Sequence, residues 1–541
     1  MKREETIAYE IYVQSFMDSN ADGIGDLNGI ILKLDYLKDL GINLIWLTPI
    51  YESPMEDNGY DISNYYKINP IYGTLADFEK LILEAKNRGI KIMLDMVFNH
   101  TSTKHPWFQK AIAGEKKYQD YYFFKDGFSK KNPPTNWSSK FGGPAWEYNE
   151  QINKWYLHLF LKSHADLNWD NKEVREEIYK IVKYWGSLGV EGFRFDVINL
   201  ISKPEIFLDS KTGDGKEYYT DGPNVHKYIN YLNRHTFGKD PKYVTVGEMS
   251  STTIENSIRY SHFGNRELSM VFTFHHLKVD YQDGKKWTDP VSNLDGLIAI
   301  LTNWISEISN KGGWLANFLS NHDQPRHVSR FGDDTLYHYE SATAFATMYI
   351  LLRGTPFIFQ GEEIGTPNAN RKTLDQFLDI ESKNYIEILK EKGLSEEHIL
   401  EIVNYYSRDN GRLTMYWDDS TNGGFSKVTP WIIPSNIYKQ INVQAQNQVG
   451  KKSILNFYKD LISYRKNNHL IQFGEIVFKQ FAQEVMAYYR IEGQKSTLVI
   501  VNLSNESVFI DLEKNLNIVI NNYSFYQEGF LQPYQCLVIE E

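Results

Sequence analysis

The sequence predicts an α/β protein: a (β/α)8 (TIM) barrel, interrupted by an inserted small domain after its third strand and followed by a C-terminal antiparallel β-sandwich domain. Three observations predict it. Eight short apolar, β-branched or aromatic runs recur along the chain, with helix-like stretches between them. One connection, residues 101–171, is rich in Trp, Tyr, Phe, Pro and Gly and lacks a helical period. From Phe473 the pattern alternates with period two.

The eight runs begin at Ile7 (IAYEIYVQSF), Ile42 (INLIWLTPI), Ile90 (IKIMLDMVFNH), Val190 (VEGFRFDVI), Tyr243 (YVTVGEM), Ser269 (SMVFTF), Trp314 (WLANFLSNHD) and Thr355 (TPFIFQGEEIG). The spacers read as helices. In LNGIILKLDYLKDLG, Leu27, Ile30, Ile31, Leu34 and Leu37 recur at three and four, and Gly41 follows as a C-cap. Repeated β-then-α units close into a barrel of parallel strands. The barrel is expected over 1–100 and 172–472, the insert over 101–171 and the all-β domain over 473–541. A connection as long as 101–171 needs structure of its own inside a compact protein. The terminal runs are EIVF, MAYYRI, TLVIVN, VFIDL, NIVI and CLVIE.

Composition excludes several function classes. Hydrophobic content of 42% over 541 residues excludes general disorder. The 12 Trp and 37 Tyr suit clefts for flat, uncharged ligands such as sugars. A net charge of -11 argues against a nucleic-acid partner. No run approaches the roughly 20 apolar residues that span a bilayer, and the N-terminus lacks the apolar core of a secretory signal. Cys536 is the only cysteine, so no intramolecular disulfide forms, as suits a reducing compartment. The expectation is a cytoplasmic monomer with no membrane partner and no organic cofactor.

Chemistry in such a barrel sits at the C-terminal ends of the strands. Three strands end in an acid: the fourth in Asp196 (GFRFD), the fifth in Glu248 (VGE) and the seventh in Asp323 (NHD). Arg194, two residues before Asp196, points to the same face, and a guanidinium there favours the ionised carboxylate. An ionised carboxylate facing a more easily protonated one is the equipment of glycoside hydrolysis. Any one acid reads equally well as a strand-end ion pair; three, with His100 and His322 nearby, read as a site. Metal ligation by these histidines finds no HExxH or Cys/His spacing to support it.

DMVFNH (Asp95 to His100), GFRFD (Gly192 to Asp196), VGE (Val246 to Glu248) and NHD (Asn321 to Asp323) resemble the four short regions of the α-amylase superfamily of retaining α-glucosidases. The resemblance covers nearly the whole chain. It implies that Asp196 is the nucleophile, Glu248 the general acid and then base, and Asp323 a transition-state stabiliser that grips sugar hydroxyls. It further implies that Asp57 and Tyr60 of DNGYD, His100, Phe160, Arg194, His322 and Arg412 surround the glucose of the first subsite. For Phe160 a core role competes.

DSNADGIGD offers oxygen ligands at alternating positions: Asp18, Asn20, Asp22, the Ile24 carbonyl and Asp26. Such a loop suits structural Ca2+, though Gly29 at the twelfth position excludes an EF-hand. An Asn/Asp/Gly-rich turn is the plain alternative; related glucosidases bind Ca2+ here.

Val197 after the nucleophile goes with linkages other than that of maltose in related enzymes. ELSMVFTFHHLKVDYQDGKKW and YYTDGPNVH resemble trehalose-6-phosphate hydrolases more closely than oligo-1,6-glucosidases. That implies cleavage of a phosphorylated disaccharide to glucose and glucose 6-phosphate. It also gives a purpose to the positive charge after the sixth strand, with Lys278 and Lys286 as phosphate ligands and Lys285 a weaker candidate. Two charge-assisted hydrogen bonds of roughly 1.5–3 kcal/mol each would separate phosphorylated from plain disaccharide by about a hundredfold or more. A solvated loop face is the ordinary fate of such lysines. The alternative enzyme is an oligo-1,6-glucosidase. A non-catalytic scaffold is disfavoured by the three acids. Transglycosylation would use the same residues.

Four places depart from the family pattern: YEIYVQSF in the first strand, Phe195 before the nucleophile, His164 where Gln is usual, and RLTMYW from Arg412 to Trp417.

Overall fold

The structure is a computed structural model that describes residues 2–127, 129–512 and 515–541. All eight expected runs contain a strand: β1 (Ala8–Ile11), β2 (Leu44–Leu47), β3 (Lys91–Val97), β4 (Gly192–Asp196), β5 (Val244–Met249), β6 (Met270–Thr273), β7 (Ala316–Asn317) and β8 (Thr355–Phe359). They hydrogen-bond in the order β6-β5-β4-β3-β2-β1-β8-β7, with a parallel ladder between β4 and each of its neighbours. That is the order of a (β/α)8 barrel. Nearly every residue of these strands is buried, which is why the sequence shows continuous apolar runs instead of alternation.

Two elements are shorter than the sequence suggests. β7 keeps two residues, Ala316 and Asn317, and further on the Asn321 side chain accepts the Asp323 N–H at 2.9 Å. The helix expected from Leu27 to Gly41 is two, Leu27–Leu32 and Leu34–Leu40, broken at Lys33 and closed by Gly41 at φ 97°. Asp26 is the N-cap of the first, accepting from Gly29 N at 2.8 Å.

The chain groups into two compact units, one of residues 1–45, 87–90 and 274–541, the other of 46–86 and 91–273. In the second unit, His100–Ser102 pairs antiparallel with His164–Asp166. A three-stranded antiparallel sheet of Phe124–Lys125, Lys154–Leu157 and Trp146–Asn149 lies between them in sequence. Its aromatic content is core: Trp137, Trp146 and Trp155 bury against Phe123, Leu157 and Leu200. The crossover helix missing from 101–171 follows as α1 (Lys172–Ser187), capped by Asn171.

In the first unit, α2 (His338–Ile350) is buried along its length from Ser341. A five-stranded antiparallel sheet follows, β9 (Glu475–Lys479), β10 (Val485–Glu492), β11 (Lys495–Asn502), β12 (Ile518–Asn521) and β13 (Cys536–Glu540), in the order β9-β10-β11-β13-β12. Two buried arginines hold the C-terminal end of α2. Arg465 donates to the Ile350, Leu352 and Gly354 carbonyls, and Arg490 of β10 to those of Leu351, Ile471 and Gly474. Among the described residues no helix is long and apolar enough to cross a membrane.

Candidate active site

Arg194 organises the second unit. It is fully buried in mid-β4, and its Nη1 donates to Asp95 Oδ1 and Asp196 Oδ1, each at 2.7 Å, while Nη2 donates to Glu248 Oε2. The parallel register makes this possible: Arg194 lies opposite Asp95 on β3 and Val246 on β5. The Trp46 ring lies 5.0 Å from the guanidinium carbon. Asp95 also accepts from Trp46 Nε1 at 3.2 Å and Tyr60 Oη at 3.0 Å. Sequence reasoning quoted Asp95 within a motif but gave it no role.

Three carboxylates therefore share one guanidinium. Burial pushes Asp95 up to about 6; Arg194 opposes the rise and Glu248 adds to it. Burial also pushes Asp196 well above the usual carboxylate range, with Arg194 pulling down and Glu248 and Asp95 pushing up. A hydrogen bond to Glu248 is among the causes that raise Asp196. Val197 adds its backbone N–H to Glu248 Oε2 at 3.1 Å. It does so from φ 34°, a left-handed conformation that is strained for a β-branched residue.

His100 sits on the same unit. Its Nε2 meets the Tyr60 carbonyl at 3.2 Å, and His164 stacks on it with centroids 4.4 Å apart and planes 2° from parallel. His164 thus replaces the usual Gln with a stacked ring. Burial pushes His100 down to about 4, which keeps it neutral. Phe160 packs on His100 at 5.4 Å and on Phe141 at 5.6 Å. Asp57 is buried, and its N–H donates to Asp61. Next to Phe141, Lys140 sends its Nζ to Ser250 Oγ at 3.2 Å, two residues past Glu248. No sequence signal singled out Lys140.

Asp323 belongs to the first unit. Its Oδ1 accepts from Arg408 Nη1 and Arg412 Nη2, both at 3.1 Å. Both arginines also bind Asp379 Oδ1. Burial alone would raise Asp379; the two guanidiniums outweigh it and hold the carboxyl far below its usual range. His322 Nδ1 lies 2.6 Å from Glu10 Oε1, the acid that distinguishes YEIY, and His322 Nε2 lies 3.4 Å from Asp323 Oδ2. The sequence reading named Asp323, His322 and Arg412 but missed Arg408, Asp379 and Glu10. The recurrence of Arg408 and Arg412 four apart was the one available signal.

The lysine segment carries less free charge than its letters suggest. Burial pushes both His275 and His276 down to about 4, with Lys278 adding to the effect on His275. His275 stacks on Trp304, and His276 Nε2 donates to the Phe318 carbonyl. Lys278 and Lys285 are exposed. Lys286 is mostly buried, over Trp287 and 2.8 Å from Glu381, whose carboxylate also lies 3.6 Å from Arg408 Nε.

In the 18–26 loop, Asp18 Oδ1 accepts from Asn20 N and Ala21 N, and its Oδ2 from Gly23 N and Ser426 Oγ. Asp26 accepts from Ser19 N, Ser19 Oγ and Gly29 N, and Asp22 from Ile24 N and Asn20 Nδ2. Among the described residues none of these three acids pairs with a Lys, Arg or His, and no three His, Cys, Asp or Glu side chains come together as a ready metal cage. The uncompensated carboxylates and oxygen donors suit a hard cation; the lone pairs of Asp18 already serve backbone and hydroxyl donors.

A family model described as "Alpha amylase, catalytic domain" matches residues 10–474. The trehalose-6-phosphate hydrolase of Bacillus subtilis (strain 168) is 45% identical over 99% of both chains. The oligo-1,6-glucosidase of Bacillus cereus is 42% identical over 99% of both. Among solved structures, the trehalose-6-phosphate hydrolase of Bacillus licheniformis superposes with a TM-score of 0.94 at 45% identity, covering 99% of each chain.

Proposed function

The chain belongs to the alpha-amylase family, and from that premise we propose that it is a glycoside hydrolase that cleaves trehalose 6-phosphate to glucose and glucose 6-phosphate with retention at the anomeric carbon. The observation that carries the substrate is the 45% identity to a trehalose-6-phosphate hydrolase along the full length of both chains. The 42% identity to an oligo-1,6-glucosidase keeps the isomaltose-type reading as the alternative.

In the proposed mechanism Asp196 attacks the anomeric carbon while Glu248 protonates the departing glucose 6-phosphate. A glycosyl ester forms on Asp196. Glu248, now ionised, takes a proton from water, which attacks and frees glucose. The first step needs Asp196 ionised and Glu248 protonated. Arg194 Nη1, 2.7 Å from Asp196 Oδ1, opposes the rise that burial imposes and so favours the ionised nucleophile this step needs. Asp323 binds sugar hydroxyls, supported by its fixed approach to Arg408 and Arg412. The family pattern implies that Asp57, Tyr60, His100 and Phe160 of the second unit line the glucose subsite as well. Lys278 and Lys286 are the proposed phosphate ligands, and at Lys286 phosphate must compete with Glu381. Ca2+ at Asp18, Asn20, Asp22, Ile24 and Asp26 would brace the loop after β1 and takes no part in catalysis. A cytoplasmic location accords with the buried, unpaired Cys536.

The test is a panel of trehalose 6-phosphate, trehalose, isomaltose, sucrose and maltose, with products and anomers followed by NMR. Trehalose 6-phosphate is expected to have the highest kcat/KM and to release α-glucose first. Lys278→Ala should raise KM for it by about tenfold, the loss of one charge-assisted hydrogen bond, and leave an aryl α-glucoside nearly untouched. Faster cleavage of isomaltose, or equal losses on both substrates, overturns the choice of substrate.

A further inference from the structure

YYTDGPNVH, Tyr218 to His226, runs behind the two acids. Its Asp221 adopts φ 49°, which Asp tolerates. Gly222 follows because a Cβ there would lie 2.0 Å from the Ser202 carbonyl oxygen. The turn is thereby pressed against the segment after β4.

Four donors converge on the Asp221 carboxylate. Oδ1 accepts from Asn199 Nδ2 at 3.1 Å and Tyr260 Oη at 2.7 Å; Oδ2 accepts from Thr252 Oγ1 at 2.7 Å and Asn256 Nδ2 at 2.9 Å. Asn199 is fully buried, three residues after Asp196. Its side chain also bonds Ser250 twice, through Oδ1 to the N–H at 2.9 Å and Nδ2 to the carbonyl at 3.0 Å, and its own carbonyl accepts from Asp221 N at 3.0 Å. Ser250 and Thr252 follow Glu248 by two and four residues. One carboxylate thus ties the segment after Asp196 to the segment after Glu248.

We propose that Asp221 is a positioning residue that fixes the mutual placement of Asp196 and Glu248 through Asn199, Ser250 and Thr252. This rests on reading Asp196 as nucleophile and Glu248 as acid. The work needs a carboxylate: two oxygens accept four donors, whereas an amide has one oxygen and turns an NH2 towards donors. The backbone it restrains includes the strained Val197, whose N–H meets Glu248. Strain of that kind persists only where the surroundings over-determine it.

The test compares Asp221→Asn and Thr252→Val with wild type on two α-glucosides, one with a dinitrophenyl leaving group and one with an alkyl group. Glu248→Gln is the reference. Asp221→Asn is expected to lower kcat/KM on the alkyl glucoside by about a hundredfold, the scale of a misplaced catalytic group. On the dinitrophenyl glucoside, which departs without a proton, the loss should be far smaller. Thr252→Val, which removes a single donor, should give the same ordering with a smaller loss. Equal losses on both substrates, or none, overturn the proposal even where melting temperatures fall. If Glu248→Gln itself loses equally on both, the acid is misassigned and this inference falls with it.

Discussion

Replacing Asp196 with Asn is expected to abolish turnover and make the protein more stable at about pH 8. Asp95, Asp196 and Glu248 crowd one buried guanidinium. Burial, with the mutual repulsion of the carboxylates added and Arg194 opposing, pushes Asp95 from 3.8 to about 6 and Asp196 well above 3.8. Both groups bind protons more tightly folded than unfolded. Their contribution to stability is therefore full below the ordinary carboxylate range and is lost as pH rises through the folded values. For Asp95, the rise from 3.8 to about 6 costs about 3 kcal/mol once the group is ionised. Neutralising one of three charges should return a third to a half of that, about 1–1.5 kcal/mol, or about 1–3 °C in Tm. Differential scanning fluorimetry at about pH 8 and pH 4.5 measures it. The gain should be present at the higher pH and shrink at the lower. A variant less stable than wild type at pH 8, or one gaining equally at both, refutes the reasoning and makes the Arg194 bond to Asp196 a net stabiliser.

Asp379→Asn should act in the opposite direction. It leaves Arg408 and Arg412 facing each other with Asp323 as their remaining shared carboxylate, and the loss of a buried partner costs about 3–5 kcal/mol. Because the carboxyl is held far below its usual range, this contribution is present above pH 4 and fades as pH falls, so the urea midpoint should drop at neutral pH and approach wild type in acid; an unchanged midpoint at neutral pH counts against it. Its KM should also rise, since Asp323 loses the anchored guanidiniums. Adding Ca2+ to chelator-treated protein should raise Tm, with binding followed by equilibrium dialysis and lost in Asp22→Asn; no binding to the wild-type protein removes the metal from the 18–26 loop.

The strands were legible because each is buried on both faces and writes itself as an unbroken apolar run. The acids were legible for the complementary reason: Asp196 and Glu248 are charged letters inside such runs. Their environment was not. Arg194, Asp95 and Glu248 are far apart in sequence, and only the ladder register brings them together. Asp379 gives no sign of holding Arg408 and Arg412, since an acid before a helix reads as an N-cap, which it also is. His275 and His276 looked like charge beside Lys278 because burial leaves no mark on the letter.

The two arginines at the end of α2 bear on how this chain tolerates shortening. From β10, Arg490 donates to the Leu351, Ile471 and Gly474 carbonyls and Tyr488 Oη to the Met348 carbonyl at 2.9 Å, so removing the terminal strands would leave these carbonyls without their donors. The final sheet is thus welded to the most deeply buried helix of its unit. It cannot be shed or exchanged as a detachable module, and a protease that nicks the chain before β9 would unfasten the helix as well as free the tail.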